Sequence, residues 1–423
     1  MTRTQRRRSV IPMGPGVGLA ALCSCAACAA CVQAPSFQGV GDLPGGTQDS
    51  VGLALSADGL VLVGSSVSSA GREAIRWATS TGLVGLGDLP GGVFNSVGLG
   101  VSVDGAMVVG EASGLSGGLA FRWTQASGMV SLGDLPGGAV SSRANGVSLD
   151  VSTVVGRSES AGGQEAFRWT QTTGMVGLGD LPGGAFDSGA FAASADGSII
   201  CGRSSSALGE EAFRWTAAGG MVGLGDLPGG TFQSFATAMT PDGSVVVGFS
   251  QSGAGLEAFR WTDAGGMIGL GDLPGGQFRS MAIGVSADGN TILCAGHTTQ
   301  GEEYSIWTPA GGMQNLRERL ISLGATAVGD WLLNGHHGGI SADGTVVAGY
   351  GTNPTGFPEG WIAHLGPSCF PDCNADAELT VADFGCFQSK YVLGDPYADC
   401  NISGGLSIAD FGCFQGRFVQ GCP

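Results

Sequence analysis

The string Gly-Asp-Leu-Pro-Gly-Gly occurs six times, with its aspartate at Asp42, Asp88, Asp134, Asp180, Asp226 and Asp272, each 46 residues after the last. A fixed period of that length restricts the chain to architectures in which one supersecondary unit stacks on the next, because a single unit cannot bury its apolar face alone. Two further markers keep step. A Ser-x-Asp-Gly string or a close variant carries Asp58, Asp104, Asp150, Asp196, Asp242 and Asp288, and a seventh copy sits at Asp343 after an insertion of nine residues. Tryptophan recurs at Trp77, Trp123, Trp169, Trp215, Trp261, Trp307 and Trp361, leaving only Trp331 outside the series.

Each unit reads as four short strands. A segment such as Ala282 to Val285 leads into the Asp-Gly turn, which is expected to be a tight hairpin with both central residues at φ > 0. A β-branched run follows, as in Ser244 to Gly248. The third strand is typified by Glu257 to Thr262, and the fourth by Met267 to Gly271. The closing Leu-Pro-Gly-Gly is expected to end the ladder. Alternation places Phe259 and Trp261 on one face and Ala258 and Arg260 on the other. Four strands in 46 residues match the blade of a β-propeller. The chain enters residues 37–365 on an isolated fourth strand, Phe37 to Leu43, and leaves on a unit of three, Gly338 to Ala363. Pairing those ends would complete a closed ring with no open sheet edge. The expected fold class is therefore all-β: a seven-bladed β-propeller of 46-residue four-stranded repeats. A linear solenoid would need capping repeats, and none is visible.

The unit, with its Leu-Gly-Asp-Leu-Pro-Gly-Gly string, its Ser-x-Asp-Gly turn and its Ala166-Phe167-Arg168-Trp169-Thr170 strand, resembles the HAF family of extracellular repeats over about three quarters of the chain. That resemblance implies an extracellular location and no particular activity. The repeated Trp is read as inter-blade core. Arg76, Arg122, Arg168, Arg214 and Arg260 are expected to pair with repeat aspartates, most directly that of the following Asp-Leu-Pro turn.

Beyond Gly366 the composition changes. Six cysteines fall within residues 369–422, and a 27-residue duplication aligns Asp372-Cys373-Asn374 with Asp399-Cys400-Asn401, and Asp383 to Gln388 with Asp410 to Gln415. Each half is a 12-residue loop leading into a short helix. Oxygen ligands at loop positions 1, 3, 5 and 12, with a backbone carbonyl at 7, suit Ca²⁺. The first loop offers Asp372, Asn374, Asp376, the carbonyl of Glu378, and Asp383. The second offers Asp399, Asn401, Ser403, the carbonyl of Gly405, and Asp410. Aspartate at position 12 and the paired cysteines make residues 366–423 similar to a GC-type dockerin, a small α-helical, disulfide-rich domain of two half-EF-hands. That resemblance implies Ca²⁺ as cofactor and a cohesin-like or cell-surface protein as partner. Two departures stand out. Ala377 replaces the Gly of position 6, at a cost of about 1 kcal/mol if the left-handed conformation is kept, and Ser403 removes one carboxylate. Phe384, Phe387 and Tyr391, with Phe411, Phe414 and Phe418, form helical stripes read as a mini-core between the halves. Six cysteines in so small a module fit three disulfides, whereas Cys201 and Cys294 in the repeats read as buried thiols.

The first 34 residues read as an export signal: Arg6, Arg7 and Arg8 precede an uncharged apolar stretch, and Val32 and Ala34 fit a small-x-small cleavage site. Leu22-Cys23-Ser24-Cys25 leaves a lipid anchor as a variant, and no further stretch is long and apolar enough to span a bilayer. A net charge of −17 opposes nucleic-acid binding. Only four histidines exist, and no nucleophile elbow, phosphate-binding loop or zinc-protease string occurs. The His336-His337 pair has no ligand-spaced neighbour in sequence. The expectation is a non-catalytic exported repeat scaffold or recognition protein, with a carbohydrate as a further candidate ligand. The alternative is a polysaccharide-acting hydrolase or lyase with its site at a mouth of the ring.

Overall fold

The computed structural model describes residues 35–366, 381–393, 398 and 408–420. The repeat region is almost entirely antiparallel β and β-propeller-like. The first unit is built from Gly45–Leu55, Val61–Ser68, Gly71–Ala78 and Gly82–Gly85, and the same four strands recur in the next five units, while the last has three, Gly338–Ile340, Val346–Thr352 and Pro358–His364. Within a unit the strands pair in chain order. Single parallel bridges tie a third strand to the inner strand of the next unit, at Arg72↔Asn95, Gln164↔Asp187, Glu210↔Gln233 and Leu256↔Arg279. The first strand of each unit lies innermost, because residues from the first strands of every unit together line one axial cavity of about 220 Å³.

Two details of the repeat refine or differ from expectation. The ladder of the fourth strand ends before Leu-Pro, as at Gly85 and Gly177, but the two glycines that follow open the next inner strand, as at Gly91, Gly137, Gly183 and Gly229. The first of them takes positive φ (86° at Gly45), which lets the chain turn between units before pairing resumes. The Ser-x-Asp-Gly string is not a two-residue hairpin. Ser56 N–H donates to the Val61 carbonyl across a four-residue loop in which only the glycine has φ > 0, 74° at Gly59. The aspartate organises that loop through its side chain: Asp58 Oδ1 accepts from the Ser56 hydroxyl and from Leu60 N–H. In the third unit the glycine position is Val151, held at φ 62°.

A buried serine joins neighbouring units. The hydroxyls of Ser96, Ser142, Ser188, Ser234 and Ser280 each accept from the N–H of the alanine in the preceding unit's third strand, at 2.9 Å. Each donates to the glycine carbonyl before the Asp-Leu-Pro turn, at 2.6 Å. Apolar clusters fill the space between units. Phe259 and Trp261 pack toward the fourth unit with Cys201, and Ala258 packs toward the sixth with Cys294, the alternation that the sequence predicts. Cys201 and Cys294 are free, fully buried thiols. Burial pushes the Cys201 thiol up to about 12. Trp77 and Trp361 are buried; the intervening tryptophans are partly buried against the inter-unit clusters.

The same devices close the array on itself. Ser36–Gly39 pairs antiparallel with Pro358–His364, in the register Phe37↔Ala363 and Gly39↔Trp361. Val40 N–H donates to the Gly360 carbonyl at 2.9 Å. Ser50 takes the serine role, donating to the Gly41 carbonyl at 2.8 Å and accepting from Gly360 N–H at 3.3 Å. The Ala342 N–H reaches the Ala57 carbonyl at 2.8 Å. Val40, Leu55, Leu62, Trp77, Val346, Ala348 and Ile362 form one core across this junction.

The insertion after the sixth unit covers the closure. Its weak fourth strand, Gly312–Asn315, gives way to helix α1 (Leu316–Ser322), whose N-cap Asn315 side chain accepts from Glu318 N–H. Leu316, Leu320, Val328, Trp331 and Leu333 pack with Phe37, Tyr304 and Trp361. Trp331, the residue outside the tryptophan series, meets Phe37 edge-on at 5.2 Å. No helix among the described residues is long and apolar enough to cross a membrane.

Candidate functional site

Two helices of the tail are described, α2 (Val381–Leu393) and α3 (Ile408–Gln420), and they correspond through the 27-residue duplication. Asp383 and Asp410 lie in their first turns and both are fully buried. A carboxylate there is favoured by the partial positive charge of the helix N-terminus. The other expected ligands, Asp372, Asn374, Asp376, Glu378, Asp399, Asn401, Ser403 and Gly405, lie outside the described residues.

The helices meet through an internal two-fold relation. Phe387 and Phe414, equivalent positions, stack at 4.0 Å. Phe384–Phe414 at 5.6 Å mirrors Phe387–Phe411 at 5.3 Å. Phe384–Phe418 at 6.0 Å mirrors Tyr391–Phe411 at 5.2 Å. Exchanging each residue for its duplicate thus returns the same set of contacts. The aromatic stripes are the mini-core, as the sequence reading expects. Val381 and Ile408, at equivalent places, are instead 85% and 88% exposed.

In the repeats, the expected pairing of Arg76, Arg122, Arg168, Arg214 and Arg260 with the Asp-Leu-Pro aspartates does not occur. Arg76 Nε donates to the Gly105 carbonyl at 2.9 Å, and Arg260 Nε to the Gly289 carbonyl at 3.2 Å, each in the next unit's Ser-x-Asp-Gly loop. Arg168 donates to the Thr153 hydroxyl at 3.1 Å, and Arg122 sits 5.5 Å over the Trp169 ring. The arginine extends away from the Asp-Leu-Pro turn, where Asp88 accepts from Leu89 and Asn95 N–H and Asp272 from Arg279 N–H. A groove of about 490 Å³ lies beside these side chains, lined by Arg168, Asp196, Arg214 and Trp215.

A repeated glutamate, absent from the sequence reading, does what the arginine does not. Glu73, Glu165, Glu211 and Glu257 accept from the N–H of Gly87, Gly179, Gly225 and Gly271 at 2.8–3.0 Å, fixing the approach to each Asp-Leu-Pro turn. Glu359 does the same for Gly41 at the closure, at 2.9 Å. Its signal was present: a glutamate four residues before Trp77, Trp169, Trp215, Trp261 and Trp307.

Where the repeat deviates, His336 approaches Glu302 at 3.4 Å, and its ring lies 4.6 Å from that of His337. The contact to His336 lowers the Glu302 carboxyl below its ordinary range. Burial, then the neighbouring His336 and Arg143 charges, push the His337 imidazole down to about 4. The buried Tyr304 hydroxyl donates to the His337 carbonyl, which leaves it committed to backbone. Among the described residues no group of three or more His, Cys, Asp or Glu is placed to hold a metal.

No protein-family model matches the chain, and no curated protein matches it. Solved structures are similar in fold at low identity. TolB from Acinetobacter baumannii is 16% identical with a TM-score of 0.38, over 51% of this chain and 53% of that one, so the chain spans about half the TolB length. Oligogalacturonate lyase from Vibrio parahaemolyticus is 12% identical with a TM-score of 0.46, covering 78% and 97%. A gluconolactonase from Xanthomonas campestris is 11% identical with a TM-score of 0.39, covering 78% and 89%.

Proposed function

We propose that the protein is an exported, non-catalytic scaffold or recognition protein: a closed seven-bladed β-propeller of HAF-type repeats, assembled on a partner through a calcium-dependent, dockerin-like tail. The observation that carries the reading is the pair of tail helices, related by an internal two-fold and each burying a first-turn carboxylate, Asp383 and Asp410. A buried carboxylate at the end of each 12-residue acidic loop fits the oxygen-rich donor set Ca²⁺ takes. Asp372, Asn374, Asp376, the Glu378 carbonyl and Asp383 would hold the first ion. Asp399, Asn401, Ser403, the Gly405 carbonyl and Asp410 would hold the second. The ions would neutralise clustered carboxylates and tie each loop to its helix, so that the tail is ordered only when loaded.

Other features support the reading. Cys386 is disulfide-bonded, in keeping with a stapled exported module. The exposed Val381 and Ile408 give both halves an apolar corner suited to a cohesin-like or cell-surface protein partner. In the repeats, the serines join neighbouring units while the glutamates and loop aspartates fix turns, which leaves these polar residues with structural work. The test is calorimetric titration of the full chain with Ca²⁺. Two equivalents are expected for the native protein, and one each for Asp383→Asn and Asp410→Asn. An absence of binding at millimolar Ca²⁺ would end the dockerin-like reading.

A further inference from the structure

The units are nearly alike, yet some registers of the inner strand depart from that likeness, and one of them does so together with its cross-strand partners. In the inner strand, between an invariant serine (Ser50, Ser96, Ser142, Ser188, Ser234, Ser280) and a small residue, stand Val51, Val97, Arg143, Gly189, Phe235 and Met281. Their cross-strand partners are Ser65, Glu111, Arg157, Arg203, Phe249 and Ala295. Six copies of one structural position therefore carry six different pairs, while the packing positions on either side stay fixed. A position that diverges from unit to unit between a constant serine and a small residue marks a surface whose chemistry is set by something other than the fold.

From the second unit to the fifth these side chains form a continuous belt. Glu111 reaches Arg143 of the next unit at 3.9 Å. The Arg157 stem lies 3.8 Å from where a Cβ on Gly189 would sit. Arg203 lies 5.9 Å over the Phe235 ring, which stacks on Phe249 at 4.8 Å. In the last unit the chain enters its inner strand through His336 and His337, and the Arg143 charge acts on His337 from the third unit. The belt thus spans the axis on the side away from the Ser-x-Asp-Gly loops.

Its electrostatics are unbalanced. Arg143 and Arg157 stand directly opposite each other, an arrangement that costs stability, in a chain whose net charge is −17. Arg203 is held by Asp187 and Glu210 at 3.0 and 3.1 Å. Arg143 has only Glu111, at 3.9 Å with both side chains more than a third exposed. Arg157 makes no ion pair or side-chain hydrogen bond among the described residues. We propose that this end of the channel is a binding site for a small organic carboxylate, held by Arg143 and Arg157, with its apolar body lying along the belt toward Phe235 and Phe249. Paired guanidiniums suit a planar anion, and the stacked phenyl rings offer an apolar face beside it.

The test is calorimetry on the full chain with galacturonate and benzoate, each against its uncharged counterpart, galactose and benzyl alcohol. Binding of at least one carboxylate and of neither neutral compound is expected. Arg143→Met and Arg157→Met should each weaken it by about tenfold or more, whereas Arg72→Met, whose guanidinium pairs with Asp49 elsewhere, should leave it unchanged. Folding is checked by the melting temperature, which Arg157→Met should keep or raise by removing a like-charge pair. Absence of binding by both carboxylates, equal binding of the neutral compounds, or unchanged binding by folded Arg157→Met would overturn the proposal. The proposal does not depend on the tail, and the tail's Ca²⁺ titration would report separately.

Discussion

Ser188 connects two units with one side chain, accepting from Ala166 N–H and donating to the Gly179 carbonyl in a site with no access to water. Ser188→Ala strands both backbone groups and should cost about 2–3 kcal/mol in chemical denaturation; a loss below about 0.5 kcal/mol would show that the inter-unit serines are incidental. Val151 is the converse case, a β-branched residue in the left-handed region where other units use glycine. Val151→Gly should stabilise by about 1 kcal/mol, read as a rise in denaturation midpoint. The loop aspartates set a pH dependence. Hydrogen bonds from the Ser198 hydroxyl, Ser198 N–H and the Ser194 hydroxyl lower the Asp196 carboxyl to about 2. Its contribution is therefore complete above the unfolded value near 3.8 and is lost as pH falls toward 2. The melting-temperature advantage of the native protein over Asp196→Ala should be constant above pH 5 and shrink between pH 4 and 2; an advantage that grows on acidification would contradict the assignment. At this scale sequence was an uneven guide. The Asp-Gly spacing exposed the loops because turn chemistry is local. The partners of Arg76 and Arg260 and the role of the serine were not legible, because each of those bonds crosses from one unit to the next and follows from stacking, which the spacing within a unit does not encode.

Among the elements, the strand Ser36–Gly39 decides whether the array has an edge. Removing residues 35–43 would uncover the ladder of Pro358–His364 and take Phe37 and Val40 from two cores. The truncated protein should melt at lower temperature and aggregate through the exposed strand, as seen by light scattering. A truncated protein as stable and monodisperse as the parent would mean the closure contributes little. This pairing was readable in sequence, since a lone fourth strand at one end and a three-stranded unit at the other leave one economical match. The insertion was not. Residues 316–333 carry no repeat marker, and only packing reveals that Leu316, Leu320 and Trp331 cover the seam. In the tail, by contrast, the duplication predicted a symmetric aromatic core, and the mirrored contacts of Phe384, Phe387 and Tyr391 with Phe411, Phe414 and Phe418 follow from it.

The whole molecule has two kinds of stability. The repeat array is held, across its closure as elsewhere, by bonds that recur between units. The tail has a core of a few aromatic rings, too small to be stable alone, so its order should depend on Ca²⁺ neutralising the loops that lead into α2 and α3. Metal binding would then be folding free energy for the tail and neutral for the array. Hydrogen exchange on the full chain, with Ca²⁺ and with chelator, tests this division directly. Amide protection across residues 381–393 and 408–420 is expected to rise markedly with Ca²⁺, while protection in the inner strands, such as Gly183–Ala193, stays the same. Unchanged protection of both tail helices on adding Ca²⁺ would rule out a calcium-dependent tail.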